Sequence, residues 1–147
     1  MTTLAVNKLR DFQLGDTEEY PVIATDIIYQ GAAVGENGSG YARPLAAGDP
    51  FLGFAEAIAD NSTGAAGAIN VNVKEKGKIV LPISSIAITA NDRPVVYASD
   101  DDTFTLTAST NSPIGTVSRW VSTGIAVVEF DAALAREIAA RAAGDAG

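Results

Sequence analysis

The chain has 147 residues, a net charge of −8, no cysteine and no histidine. The length fits one domain with a core of ordinary size. The missing residues exclude thiol chemistry, disulfides, histidine general bases and histidine metal sites. The acidity argues against a nucleic-acid or anionic-membrane partner. Charged residues make up only 19% of the chain, so much of its surface is weakly polar, which suits assembly into something larger. No stretch approaches the roughly 20 apolar residues of a membrane-spanning helix. The first dozen residues hold no apolar run of signal-peptide length, which predicts synthesis in the cytoplasm.

Residues 1–20 read as an N-terminal arm, either a frayed terminus or an extended segment that orders against a partner. Leu4, Val6, Leu9, Phe12 and Leu14 are isolated apolar positions on a polar segment, cut off by Gly15-Asp16. Such residues make sense as anchors that fill pockets elsewhere, as in strand addition, and they are candidate interface residues. A β-rich body is expected over residues 21–131. Ile27-Ile28-Tyr29 and Ala32-Ala33-Val34 predict one arm of a hairpin, Glu36 to Gly40 its turn, and Tyr41 to Leu45 the return. Pro44 has no N–H for a ladder, so that strand lies at an edge or ends there. Gly48-Asp49-Pro50 is a second turn, and Phe51 to Ala55 a buried run. Residues 60–68 read as a surface loop whose glycines lack phosphate-binding spacing. Ile69, Val71 and Val73 alternate with Asn70, Asn72 and Lys74, the pattern of a half-buried strand. Lys74 to Lys78 reads as a charged hairpin tip bent at Gly77, with Ile79 to Ile83 as the return strand.

Strand signals are densest between Asp92 and Asp131. Val95 to Ala98, Phe104 to Ala108, Ile114 to Val121 and Ile125 to Phe130 are apolar or alternating runs separated by turn residues. Asp131 then caps a helix within residues 132–147, where Leu134 and Ile138 share a face, Glu137 and Arg141 form an exposed pair, and Gly144 is the stop. A lone helix of about a dozen residues is marginal in water. It must dock on the sheet or on another copy, which makes Leu134 and Ile138 candidate contacts. The fold class is all-β, mainly antiparallel: a compact barrel or sandwich with an extended N-terminal arm and one short C-terminal α-helix.

The search for chemistry yields little. Ser84 and Ser85 lie near Lys78 in sequence, but nothing else marks a Ser-Lys nucleophile. Asp100-Asp101-Asp102 could hold a hard cation, yet adjacent residues point in different directions and the spaced ligand pattern of a calcium loop is missing, so an acidic β-turn is the expected reading. Trp120 could stack on a sugar, but beside Val117 and Val121 it reads as a core or interface residue. No catalytic residue, cofactor or metal ligand is assigned.

The order of features from Ile27 to Phe130 resembles the capsid decoration, or cement, proteins of tailed bacteriophages. The resemblance rests on Gly31 to Val34, Gly40-Tyr41 with Pro44, and Gly48-Asp49 leading into Phe51 to Glu56. It continues through the strand Ile69 to Val73, Pro94 to Asp101, Phe104 to Thr107 and Pro113 to Val117. It implies a non-enzymatic virion protein on the exterior of the mature head. Such a protein clamps neighbouring subunits of the major capsid protein, often as a dimer or trimer of itself, after synthesis in the host bacterial cytoplasm. Two other readings stay open: a tail or fibre adhesin domain that binds host glycan, and a small carboxylate-dependent hydrolase.

Overall fold

Alternation along the chain converts directly into layers. The computed structural model describes residues 5–8 and 15–146. Its strands are β1 (Thr17–Pro21), β2 (Asp26–Ile28), β3 (Ala33–Glu36), β4 (Ala42–Pro44), β5 (Phe51–Ala55), β6 (Ala59–Asn61), β7 (Asn70–Lys74), β8 (Lys76–Pro82), β9 (Val95–Ala98), β10 (Phe104–Thr105), β11 (Ser112–Ser122) and β12 (Ile125–Asp131), followed by helix α1 (Ala132–Ala146). One sheet has the order β1-β7-β5-β3-β4, a second has β10-β9-β11-β12-β8, and β2 pairs with β6 in a two-stranded ribbon. Every pair of named strands is antiparallel. The fold is all-β with one short C-terminal helix, and its sheets stack as a sandwich.

The first sheet is the middle layer. Adjacent residues of one strand point to opposite faces, and here the two faces join different cores. Ala33 and Phe54 belong to the core shared with the second sheet, while their neighbours Val34 and Ala55 belong to a smaller core under the β2–β6 ribbon. The larger core centres on aromatic rings. Phe51 and Phe54 come from the first sheet, and Phe104 and Phe130 from the second. The Phe54 ring lies 4.9 Å from Phe130 and 5.5 Å from Phe51 in edge-to-face arrangements, the geometry that aromatic quadrupoles favour.

Phe51 and Phe54 are three residues apart, so a regular strand would aim them at opposite faces. A bulge resolves this: Val34 pairs with Gly53 and Gly35 with Phe51, leaving Leu52 as the extra residue. Gly53 makes the bulge possible. Its φ is +138°, and a Cβ there would collide with the carbonyl oxygen of Lys74.

The structure alters several expectations. The stretch from Lys74 to Lys78 is not a hairpin tip. β7 pairs with β1 and β5 in the first sheet, whereas β8 pairs with β12 in the second. The chain passes between sheets at Glu75, whose N–H donates to Asp16 O at 2.8 Å and whose C=O accepts from Ala132 N at 2.9 Å. Residues 17–20 belong to β1 and therefore to the body, not the arm. Ile27 and Ile28 sit on β2 against β6, apart from the β3–β4 hairpin. Asp60 and Asn61 are strand residues of β6, and buried Asn61 donates through Nδ2 to the carbonyls of Ile23 and Ala65, tying down the loop that follows. After Phe104 the ladder ends at Thr105. The helix does not stop at Gly144 but runs to Ala146.

Substituting Gly53 with alanine forces a side chain into a left-handed conformation and against the β7 backbone. The variant is expected to lose about 2–5 kcal/mol of stability, read as a lower urea midpoint with an unchanged slope. A midpoint equal to the parent's would mean that the bulge is not constrained as described.

Candidate interaction surfaces

The charged side chains nearest the core serve the fold. Asp49 lies buried in the turn before β5, where its Oδ2 accepts from Arg43 Nε at 2.9 Å and from Ala46 N at 3.0 Å, and its Oδ1 accepts from Arg43 Nη2 at 2.7 Å. This two-pronged pair fixes the turn to β4. Gly35 leaves the space, since a Cβ there would stand 2.6 Å from Asp49 Oδ2.

The acidic run forms the turn between β9 and β10, as its composition predicts. Asp100 accepts from Asp102 N at 2.9 Å and from the Thr103 hydroxyl at 3.1 Å. The Asp101 carbonyl accepts from Ala33 N at 3.0 Å and so links this turn to the first sheet. Partial burial, with Asp100 and Asp102 alongside, pushes the Asp101 carboxyl above its ordinary range. Among the described residues no group of three or more acidic side chains is placed to hold a metal ion. Ser84 and Ser85 line one groove and Lys78 another, so the sequence neighbours are not brought together.

The candidate interface residues fall in different places. Leu4, Leu9, Phe12 and Leu14 lie outside the described residues. Val6 is 77% exposed. Trp120 packs half-buried against the larger core; its backbone N–H donates to Asn91 Oδ1 at 2.7 Å, while its indole Nε1 is buried without a partner. The helix begins as expected, with Asp131 Oδ1 accepting from Ala133 N and Leu134 N at 2.9 and 3.1 Å. It docks on the body through Ala135, which is buried, whereas Leu134 is 39% exposed. Ile138 is half-buried and lines a groove of about 320 Å³ between the helix and the Gly48–Phe51 turn.

Reasoning from sequence missed a different surface. On the outer face of the second sheet, Val80 pairs with Val127 and Pro82 with Ile125. Val80 is 63% exposed and Ile125 38%, and Val121 adds an exposed side chain in the irregular stretch of β11 beside them. The alternation Lys78, Val80, Pro82 along β8 carried the signal, because β8 buries Leu81 and leaves those three out. A further exposed pair, Tyr29 and Ile58, sits just past the ends of β2 and β6.

No family model matches the chain, and no curated protein or solved structure matches it either.

The raised Asp101 carboxyl has a defined pH signature. The folded state holds that proton to higher pH than the unfolded chain, so ionisation at neutral pH costs stability, and the cost disappears as pH falls through the ordinary carboxylate value. Asp101→Asn is therefore expected to gain a few tenths of a kcal/mol at pH 7, the scale of partly exposed charges, and nothing at pH 3. Thermal melts at the two pH values check this. A loss at pH 7 would reverse the assignment.

Proposed function

We propose that the protein is a non-enzymatic decoration protein of a tailed-bacteriophage head, bound to the outer surface of the mature capsid and clamping neighbouring subunits of the major capsid protein. The observation that carries this reading is the apolar strip of Val80, Pro82, Ile125 and Val127, with Val121 beside it, on the outer face of the second sheet of an acidic body. Contiguous exposed apolar surface on a folded domain marks an interaction site. The segments that carry the resemblance support it: Gly31–Val34, Phe51–Glu56, Ile69–Val73 and Pro94–Asp101 overlap β3, β5, β7 and β9, with β10 and β11 following.

A strip of this size makes a modest interface for a single copy. On a symmetric shell, many such contacts between copies of the protein and capsid subunits add through multivalency. A ligand that binds only the expanded shell stabilises that shell by its own binding free energy. Strands hold the strip at fixed spacing, so the same contact can repeat at every equivalent lattice position.

The purified protein is expected to bind expanded heads assembled from the capsid protein encoded alongside it, to ignore unexpanded ones, and to raise the temperature at which expanded heads disrupt. Ile125→Asp is expected to fold normally and to bind about ten-fold more weakly or worse, the scale of losing one anchoring contact. An unchanged disruption temperature at saturating protein would remove the capsid role. Wild-type binding by the Ile125 variant would move the contact elsewhere.

A further inference from the structure

The groove of about 320 Å³ beside the helix shares no lining residue with the apolar strip on the second sheet. Three separate parts of the chain enclose it: the helix, the turn at residues 48–51 and the segment 108–113 that leads into β11. A volume of this size lies at the low end of small-molecule sites. Much of the wall is apolar, with Pro50, Pro113, Ile138, Ala139 and the Tyr97 ring.

The charges in the groove are unevenly matched. Asp49 is the one acidic side chain lining it, and both of its oxygens are occupied, Oδ1 by Arg43 Nη2 and Oδ2 by Arg43 Nε and Ala46 N. Arg136 is the one basic side chain lining it, and it makes no ion pair among the described residues. The sequence explains why. The positions three and four residues away on the helix are Ala132, Ala133, Ala139 and Ala140, none of which carries charge. Arg141, by contrast, is paired with Glu137. In a chain of net charge −8, Arg136 is a cation that the fold does not use. The groove holds a spare buried donor as well. Ser112 is 1% exposed, and its hydroxyl oxygen accepts from Gly48 N at 3.0 Å. A hydroxyl also carries one proton to donate, and no described hydrogen bond uses it. Ser109, in the same wall, holds φ at +41°, a conformation that costs a non-glycine residue energy and persists most often where function uses it.

We propose that this groove binds a small amphipathic carboxylate, its charged group paired with Arg136 and its hydrocarbon body against Ile138, Ala139 and Pro113. A guanidinium fork matches carboxylate and phosphate geometry alike. A single cation beside apolar walls selects a singly charged group with hydrocarbon attached. The inference does not depend on a capsid role and is tested without one.

Octanoate is the probe, with acetate as the charge without the body and octanol as the body without the charge. In the full-length protein, octanoate is expected to shift the backbone amide resonances of residues 109–111 and 136–142 saturably, and to bind about ten-fold more tightly than either control, the scale of one charged hydrogen-bonded contact. Arg136 is exposed, so Arg136→Gln is expected to keep the parent melting temperature, to weaken octanoate about ten-fold and to leave octanol unchanged. Ile138→Ala is expected to weaken octanoate and octanol together. Equal affinity for octanoate and acetate would reduce the site to an adventitious anion contact and overturn the proposal. Octanoate binding that survives Arg136→Gln, or resonance shifts confined to the strip at Val80 and Ile125, would overturn it too.

Discussion

The contact of Phe54 with Phe130 joins the two large sheets, and most of the fold depends on it. Each ring comes from a different sheet, and Phe51 and Phe104 complete the group around them. The rings fill the space between sheets only because the bulge at Leu52 turns both Phe51 and Phe54 to one face. Without it one ring would face the smaller core, which is close-packed from Ala and Val side chains with Ile28. The small residues on that side are the counterpart of the large ones on the other. Ala32, Ala42, Ala55 and Ala59 let the β2–β6 ribbon lie close on the first sheet.

A second constraint, also of backbone origin, sets the far side of the aromatic cluster. A Cβ on Gly115 would run into the Glu129 carbonyl, so β11 can approach β12 this closely only with glycine there. The same residue sits next to the irregularity where β11 pairs with β9. A bulge at Gly53 aims the rings of one sheet, and a close approach at Gly115 seats the strand that carries Phe130 in the other. Neither glycine contributes packing of its own; each makes the geometry in which the phenylalanines meet.

The legible parts of the fold were those with local causes. The β9–β10 and β11–β12 hairpins, the Glu36 to Gly40 turn and the Asp131 cap are each decided by residues within a few positions of one another, so composition and alternation suffice. The passage at Lys74 to Lys78 was not legible, because charge and glycine look the same in a hairpin tip and in a crossing between sheets. What separates the two is the partner of each strand, and those partners, β1 and β12, lie more than 40 residues away in sequence. Asn61 is similar: within a run of Gly, Ala, Ser and Thr it reads as loop, and only the distant carbonyl of Ile23 makes it a buried clamp. The candidate surface was half legible. The helix cap was anticipated, but of the two residues expected to share a contacting face, Ile138 is half-buried while Leu134 turns outward, because the smaller Ala135 is the residue that fits against the sheet. The strip around Val80 was not legible because a return strand beside β7 would share the face of Val71 and Val73, and only the pairing with β12 shows which face of β8 is left in solvent.

Crossing between sheets at Glu75 has a consequence for how the surface is arranged. A hairpin at that point would have covered both strands with each other. The crossing instead sends β7 into the first sheet and β8 to the rim of the second, and on the outer face of that second sheet β8 and β12 leave apolar positions exposed. Val71 and Val73 are buried, while Val80 on the same extended segment stands in solvent. The acidic and polar side chains near the core serve turns and caps, whereas Val80, Val121 and Ile125 on the second sheet's outer face keep much of their surface in solvent. On the proposed reading that imbalance is the functional feature: a sandwich whose second sheet presents ordered apolar side chains on its outer face to a partner.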